Sequence, residues 1–366
     1  MTETLISSVA NRSEGMDKKE IDAVIEHSFN RLYKNAVAPV KYWLLIYVKG
    51  KGEEDSDVQR LFEEAKSYPP RLKLLNSLRE DGTWPISENR RKDEDSGFGP
   101  PHGWTYKTML RNLDWLHYYC ASSEDGYIDA ALDKIISWQN EKGYIDGPEF
   151  DKIPRTYYNG LALSIILKFG RSKNDMRIAR LIDWLMKMQR PDGGWNIPYI
   201  QDARYLPQYR RLRMEDFLDL VHRGEVSYDP EAFNDIPSCY WSTVGVLTGM
   251  VWILDDPRIK EIRRGGSFVL DGFFKKNFHS TFRQSESYWT TLKYPSYHGS
   301  GYWALDSLLY LGFGPDDPRI EKPIRWLLDA REKDGFWYYK NRPDKLSDQW
   351  ITATVLMILS YYSDLL

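Results

Sequence analysis

Residues 177–197 read RIARLIDWLMKMQRPDGGWNI and residues 319–339 read RIEKPIRWLLDAREKDGFWYY, two segments that align without a gap. Repetition of this kind marks folds made by setting one supersecondary unit beside copies of itself. In the first copy Ile178, Leu181, Ile182 and Leu185 recur at i, i+3, i+4 and i+7, the apolar stripe of an amphipathic helix. Asp192-Gly193-Gly194 and Asp334-Gly335 supply the left-handed stop that ends such a helix. Trp195 and Trp337 then follow in position to fold back on it as a latch.

Weaker copies lie at 130–145 (AALDKIISWQNEKGYI) and 71–86 (RLKLLNSLREDGTWPI), with a degenerate fifth at 258–274. Asp-Pro-Arg-Ile at 256–259 and 317–320, and Asp-Met-Arg-Ile at 175–178, precede these helices. Asp as N-cap and Pro as first helical residue account for that spelling. Between the amphipathic helices run segments apolar nearly all round: 157–169, 240–254, 298–311 and 349–361, with 106–120 a more polar example. A helix without a polar face is buried. Alternating buried and amphipathic helices predict an all-α fold, one α/α toroid of about five to six hairpins with an inner and an outer ring. Residues 1–16 read as a weakly ordered tail, 17–366 as the toroid, 198–235 as an insertion, and 87–103 as a polar loop hinged at Gly97–Pro101.

The outer helix at 181–188 followed by Gln189, Asp192, Gly193, Gly194 and Trp195 resembles the Q-W repeat of the terpenoid cyclase and protein prenyltransferase superfamily. The resemblance runs from about Arg71 to the C-terminus. It implies an α/α toroid around an aromatic-lined cavity that takes an elongated apolar, isoprenoid-type molecule with an anionic head. Class II cyclases of this superfamily protonate an alkene with a D-x-D-D aspartic acid, a motif missing here; Asp255-Asp256 and Asp316-Asp317 sit where caps are expected. Prenyltransferase β subunits carry an Asp-x-Cys-Tyr stretch and, one repeat later, Tyr-His, whose Asp, Cys and His bind zinc. The corresponding residues are Cys239-Tyr240 and Tyr297-His298, but Pro237 stands at the family's Asp position and the nearest acid is Asp235. The resemblance thus nominates Asp235, Cys239 and His298 as zinc ligands, and His298, Cys239 and Tyr240 as catalytic groups in transfer or rearrangement of a prenyl group.

In a toroid of parallel inner helices, equivalent positions converge. The residues opening those helices, Tyr106 and Lys107, Tyr157 and Tyr158, Cys239 and Tyr240, Tyr297 and His298, Gln349 and Trp350, are expected to form one mouth, with the helix N-termini attracting an anion. Trp241, Tyr302, Trp303 and Trp350 are expected to line a shaft below it. Arg204, Arg210, Arg211 and Arg213 in the insertion read either as a phosphate-binding cap or, with Glu215, Asp216 and Asp219 close behind, as a solvated helix.

Composition narrows the function classes. The 366 residues are 42% hydrophobic and 28% charged, as in ordinary globular proteins. A net charge of -3 provides no global field for nucleic acid. Two cysteines and no leader pattern point to the cytoplasm, and no apolar run reaches the length of a membrane span, which leaves peripheral membrane contact open. The 14 Trp, 25 Tyr and 14 Phe would serve an apolar ligand or, as stacking platforms, a sugar. A carbohydrate-active or carbohydrate-binding toroid, and a non-catalytic scaffold with a filled centre, are therefore the alternatives.

Overall fold

The computed structural model describes residues 16–95, 102–148, 153–279, 284–294, 300–339 and 345–366. The described residues form fifteen α-helices: α1 Lys18–Asn35, α2 Ala38–Tyr47, α3 Ser56–Lys66, α4 Pro69–Ser77, α5 Glu88–Asp95, α6 Gly103–Tyr118, α7 Ile128–Ser137, α8 Thr156–Lys168, α9 Met176–Lys187, α10 Met214–His222, α11 Tyr240–Met250, α12 Ile259–Asp271, α13 Gly301–Tyr310, α14 Pro318–Asp329 and α15 Lys345–Asp364.

The helices expected to be apolar all round form the inner ring. α6, α8, α11, α13 and α15 neighbour one another in that order, and α15 packs on α2. The Trp43 indole on α2 reaches α6, donating to the Tyr118 carbonyl at 2.8 Å. On α9 the predicted stripe of Ile178, Leu181, Ile182 and Leu185 is buried, and α9 packs against α8 as its outer partner. The latches form as the repeat requires. Trp195 Nε1 donates to the Leu185 carbonyl at 2.6 Å, Trp337 Nε1 to Leu327 at 2.7 Å and Trp84 Nε1 to Leu74 at 2.9 Å.

The turn glycines set the spacing of the outer ring. Gly82, Gly143, Gly193 and Gly335 have φ of +78°, +99°, +92° and +88°, a region in which a side chain is strained. A Cβ on Gly82, Gly143 or Gly193 would lie 2.5, 2.7 or 2.7 Å from the carbonyl oxygen of Ala130 (α7), Arg180 (α9) or Arg264 (α12). Each turn therefore sits flush on the next outer helix. Gln139 and Gln189 strengthen the joint: Gln139 Nε2 donates to the carbonyls of Gly143 and Arg177, both at 2.7 Å, and Gln189 Nε2 to those of Gly193 at 2.8 Å and Glu261 at 2.7 Å. In the degenerate copy Phe274 holds the left-handed position, with its ring 6.0 Å from Trp326 of α14. The last turn, at Gly335, faces His27 and Ser28 of α1, so the outer ring closes on the first helix.

Asp175 and Asp317 cap α9 and α14 as expected. Asp256 accepts from the Arg258 backbone N–H at 2.8 Å, and Asp255 pairs with Lys173. The insertion has its own small core of Ala203, Phe217, Val226 and Phe233. It is tied to the ring by the buried Arg190, which faces Asp202 at 3.6 Å and donates to the Ile236 carbonyl at 2.7 Å. The polar loop expected over 87–103 contains a helix, α5; its Gly97–Pro101 hinge, like residues 1–15 of the expected tail, lies outside the described residues. Among the described residues no helix is long and apolar enough to cross a membrane.

Candidate functional site

A cavity of about 450 Å³ lies at the centre of the ring, with residues of α2 and of the inner helices α6, α8, α11, α13 and α15 in its wall. Its volume falls within the range of about 300–1,000 Å³ usual for small-molecule sites. Trp43, Tyr118, Tyr157, Tyr158 and Trp303 supply rings, and Leu110, Leu161, Ile165 and Met357 supply aliphatic wall. Tyr47, Trp252 and Tyr310 also line it, yet are 45%, 43% and 36% exposed. All three stand at the C-terminal ends of inner helices, so the cavity opens at that end.

At the N-terminal end, where a mouth is expected, residues 96–101, 149–152, 295–299 and 340–344, just before α6, α8, α13 and α15, lie outside the described residues. The inner helices spend their first turns gripping the latch turns. Thr243 Oγ1 accepts from the Trp195 backbone N–H at 2.9 Å, Asn159 Oδ1 from Ile145 at 2.7 Å, and Thr352 Oγ1 from Trp337 at 3.1 Å. The field at the observed opening has the sign of helix C-termini, negative rather than positive.

Of the residues predicted to touch a ligand, Lys107, Tyr157, Tyr158 and Trp303 line the cavity. Tyr106 is buried against His102 and Trp138, with ring centroids 5.4 and 5.7 Å away. The other shaft residues pack outside it. Trp241 lies 4.6 Å from Trp289, Trp350 stacks on Tyr294 at 5.7 Å, and Tyr302 donates to the Lys293 carbonyl. Gln349 accepts from the Val37 backbone N–H at 3.1 Å. Tyr240 packs on Phe268 and Trp289 rather than in the cavity wall. Tyr297 and His298 lie outside the described residues.

Cys239 is fully buried, and its Sγ accepts from Asn277 Nδ2 at 3.2 Å; Asp235 is exposed. Among the described residues no three His, Cys, Asp or Glu side chains are grouped to hold a metal; His298, the third ligand nominated with Asp235 and Cys239, lies outside them. Arg210, Arg211 and Arg213 are exposed, Arg213 pairs with Asp216 at 2.9 Å, and neither these three nor Arg204 lines the cavity.

Beyond Lys107, Tyr157 and Tyr158, the polar groups of the cavity escaped the sequence reading. Lys168 Nζ meets Asp114 Oδ1 at 2.8 Å, with side chains only 10% and 16% exposed, and lies 4.9 Å from the Tyr118 ring centroid. Burial opposes the lysine's charge, but Asp114, with help from Tyr118 and Asp306, holds its proton above the ordinary lysine range. Asp306 lines the cavity from α13. Burial pushes its carboxyl up to about 6 against the opposing pull of Lys168. Burial, aided by Lys168, drives His117 far below the ordinary imidazole range, so it is neutral. The Tyr118 phenol is pushed up to about 12, chiefly by burial. These groups did leave a signal: Lys168 ends α8, otherwise free of charge, and Asp306 is the single charge in the run GYWALDSLLY of α13. A carboxylic acid whose titration is raised to about 6, among rings able to stabilise a cation, can in its protonated form donate that proton to a bound apolar molecule.

No family model and no curated protein matches the chain. Among solved structures it is similar to three of the type II terpene cyclase MstE from Scytonema. An arginine-to-alanine variant in complex with geranylgeranyl dihydroxybenzoate as substrate has a TM-score of 0.44 at 12% identity, covering 95% of this chain and 99% of that one. The apo enzyme gives 0.29 at 14%, covering 83% and 99%, and an aspartate-to-alanine variant with merosterolic acid A as product gives 0.28 at 13%, covering 83% and 98%.

Proposed function

We propose that the chain binds an elongated apolar, isoprenoid-type molecule with an anionic head in the central cavity and rearranges it by proton transfer from Asp306. The observation that carries this reading is the composition of the wall: rings and aliphatic side chains along the ring axis, with one carboxyl whose titration burial raises to about 6. Lys107 and Arg111, about a turn apart on α6, also face the cavity and give the head a cationic partner. Asp306 would deliver its proton to one carbon of a tail alkene. The alkene's electron pair forms the new C–H bond, and the neighbouring carbon becomes a cation facing the rings. Loss of a proton from an adjacent carbon back to the carboxylate closes the cycle with no co-reactant, so product and substrate have equal mass.

Thermal unfolding with geranylgeranyl diphosphate and with oligosaccharides tests the binding step. A ligand at one hundred times its dissociation constant stabilises by about 2.7 kcal/mol, a readily measured rise in Tm. Stabilisation by the prenyl compound, and an isomer of unchanged mass on incubation, are expected. A response to oligosaccharides alone would overturn the reading in favour of a carbohydrate site, for which Asp114 and Asp306 would be the carboxyl pair.

A further inference from the structure

The wall of the cavity holds one ammonium between two carboxyls. Lys168 from α8 is bonded to Asp114 of α6 at 2.8 Å, and Asp306 of α13 is near enough for the two charges to act on each other, yet outside ion-pair contact among the described residues. One ammonium carries one charge, so it can neutralise one carboxylate. The bond to Asp114 directs that charge away from Asp306, and a partly buried carboxyl without a contacting cation holds its proton to a higher pH than a free aspartate.

The other groups that face Asp306 leave this balance unaltered. From α2 comes the Tyr47 phenol, from α6 neutral His117 and Tyr118, and from α13 itself Tyr310. α11 and the segment after it contribute Thr248, Val251 and Trp252, and α15 contributes Thr354 and Met357, all uncharged. Lys107 and Arg111 are charged but lie farther back along α6, toward its N-terminus, from Asp114.

We propose that Asp114 is a positioning residue: by engaging Lys168 it denies Asp306 an ion pair and thereby preserves the proton that Asp306 is to donate. Its purpose rests on the reading of Asp306 as the acid; the charge arrangement stands without it. The full-length protein labelled with ¹³C at the aspartate side-chain carboxyls permits a direct titration by NMR, with Asp306→Asn identifying the resonance. In the unsubstituted protein the Asp306 midpoint is expected near 6. In Asp114→Asn, Lys168 is released toward Asp306 and the midpoint falls, by about one to three pH units for an opposite charge brought into contact. In Lys168→Met the midpoint rises. A midpoint that stays in place or rises in Asp114→Asn overturns the proposal. Should that variant not fold, an unmoved or lowered midpoint in Lys168→Met overturns it equally. Failure of geranylgeranyl diphosphate to bind would remove the proposed function and leave these titrations unchanged, so the two can fail separately.

Discussion

Asp306 brings its buried proton into the folding equilibrium. A free aspartate titrates near 4, whereas burial raises the folded carboxyl to about 6. The native state therefore binds more protons than the unfolded chain between those values, and the stability linked to this group is full below about pH 4 and lost as pH rises through 6. Asp306→Asn cannot ionise. Its stability relative to the unsubstituted protein is expected to improve as pH is raised from 4.5 to 7 and then level off, with urea unfolding at each pH as the measurement. A difference independent of pH would mean that the carboxyl ionises as freely in the folded chain as in the unfolded one. Other residues were more legible than this one. Trp195, Gln189 and Asp175 do what their places in the repeat imply, because each acts within its own hairpin or on the adjacent one. Asp114 and Lys168 meet only after α6 and α8 have packed, and no local pattern encodes a meeting of that kind.

At the scale of elements, hydrophobic periodicity separated outer from inner helices because it reports directly on how many faces of a helix are buried. What it could not convey was how closely two inner helices approach. α8 and α11 touch backbone to backbone: a Cβ on Gly160 would lie 2.2 Å from the Gly245 carbonyl oxygen and 2.5 Å from Val246 Cα, and one on Gly249 would lie 2.5 Å from the Gly160 carbonyl oxygen. Two effects oppose each other in Gly160→Ala. Helix propensity favours alanine by about 1 kcal/mol, while overpacking costs typically about 1–3 kcal/mol, and more where the obstruction is backbone that cannot rotate away. Because the obstruction here is backbone, the steric effect is expected to win, with a net loss of about 1–2 kcal/mol in urea unfolding. An alanine variant as stable as the parent would show that these helices can separate at no cost. The same limit applies to the ends of the inner helices. Parallel helices bring equivalent positions together at both ends, and the grip of Thr243, Asn159 and Thr352 on the latch turns is a tertiary contact that periodicity does not report.

Closure is a property of the whole molecule, and the chain ends provide the means to test it. α1 packs on α15, burying Ile21, Ile25, Phe29 and Leu32. Lys18 Nζ donates to the Ser363 carbonyl, and Ser363 Oγ to Asp22 at 2.5 Å. Chain breaks are best tolerated where backbone is exposed and ends lie close together. Both conditions hold: the start of α1 meets the end of α15, and the turn between α8 and α9 carries the exposed residues Gly170, Ser172 and Asn174 in alternation with the partly buried Arg171 and Lys173. A circular permutant that joins Leu366 to Met16 through a short flexible linker and opens the chain in that turn keeps both helix rings continuous. It is expected to unfold in one cooperative step with the helical circular dichroism of the parent and a Tm within several degrees of it. In an open curved stack, the same operation would tether two ends that belong apart and cut the array in its interior, so loss of cooperative unfolding would count against a closed ring. Cooperativity is the sharper of the two readings, since a ring has no terminal unit that can fray alone, whereas stacked repeats lose theirs from the ends.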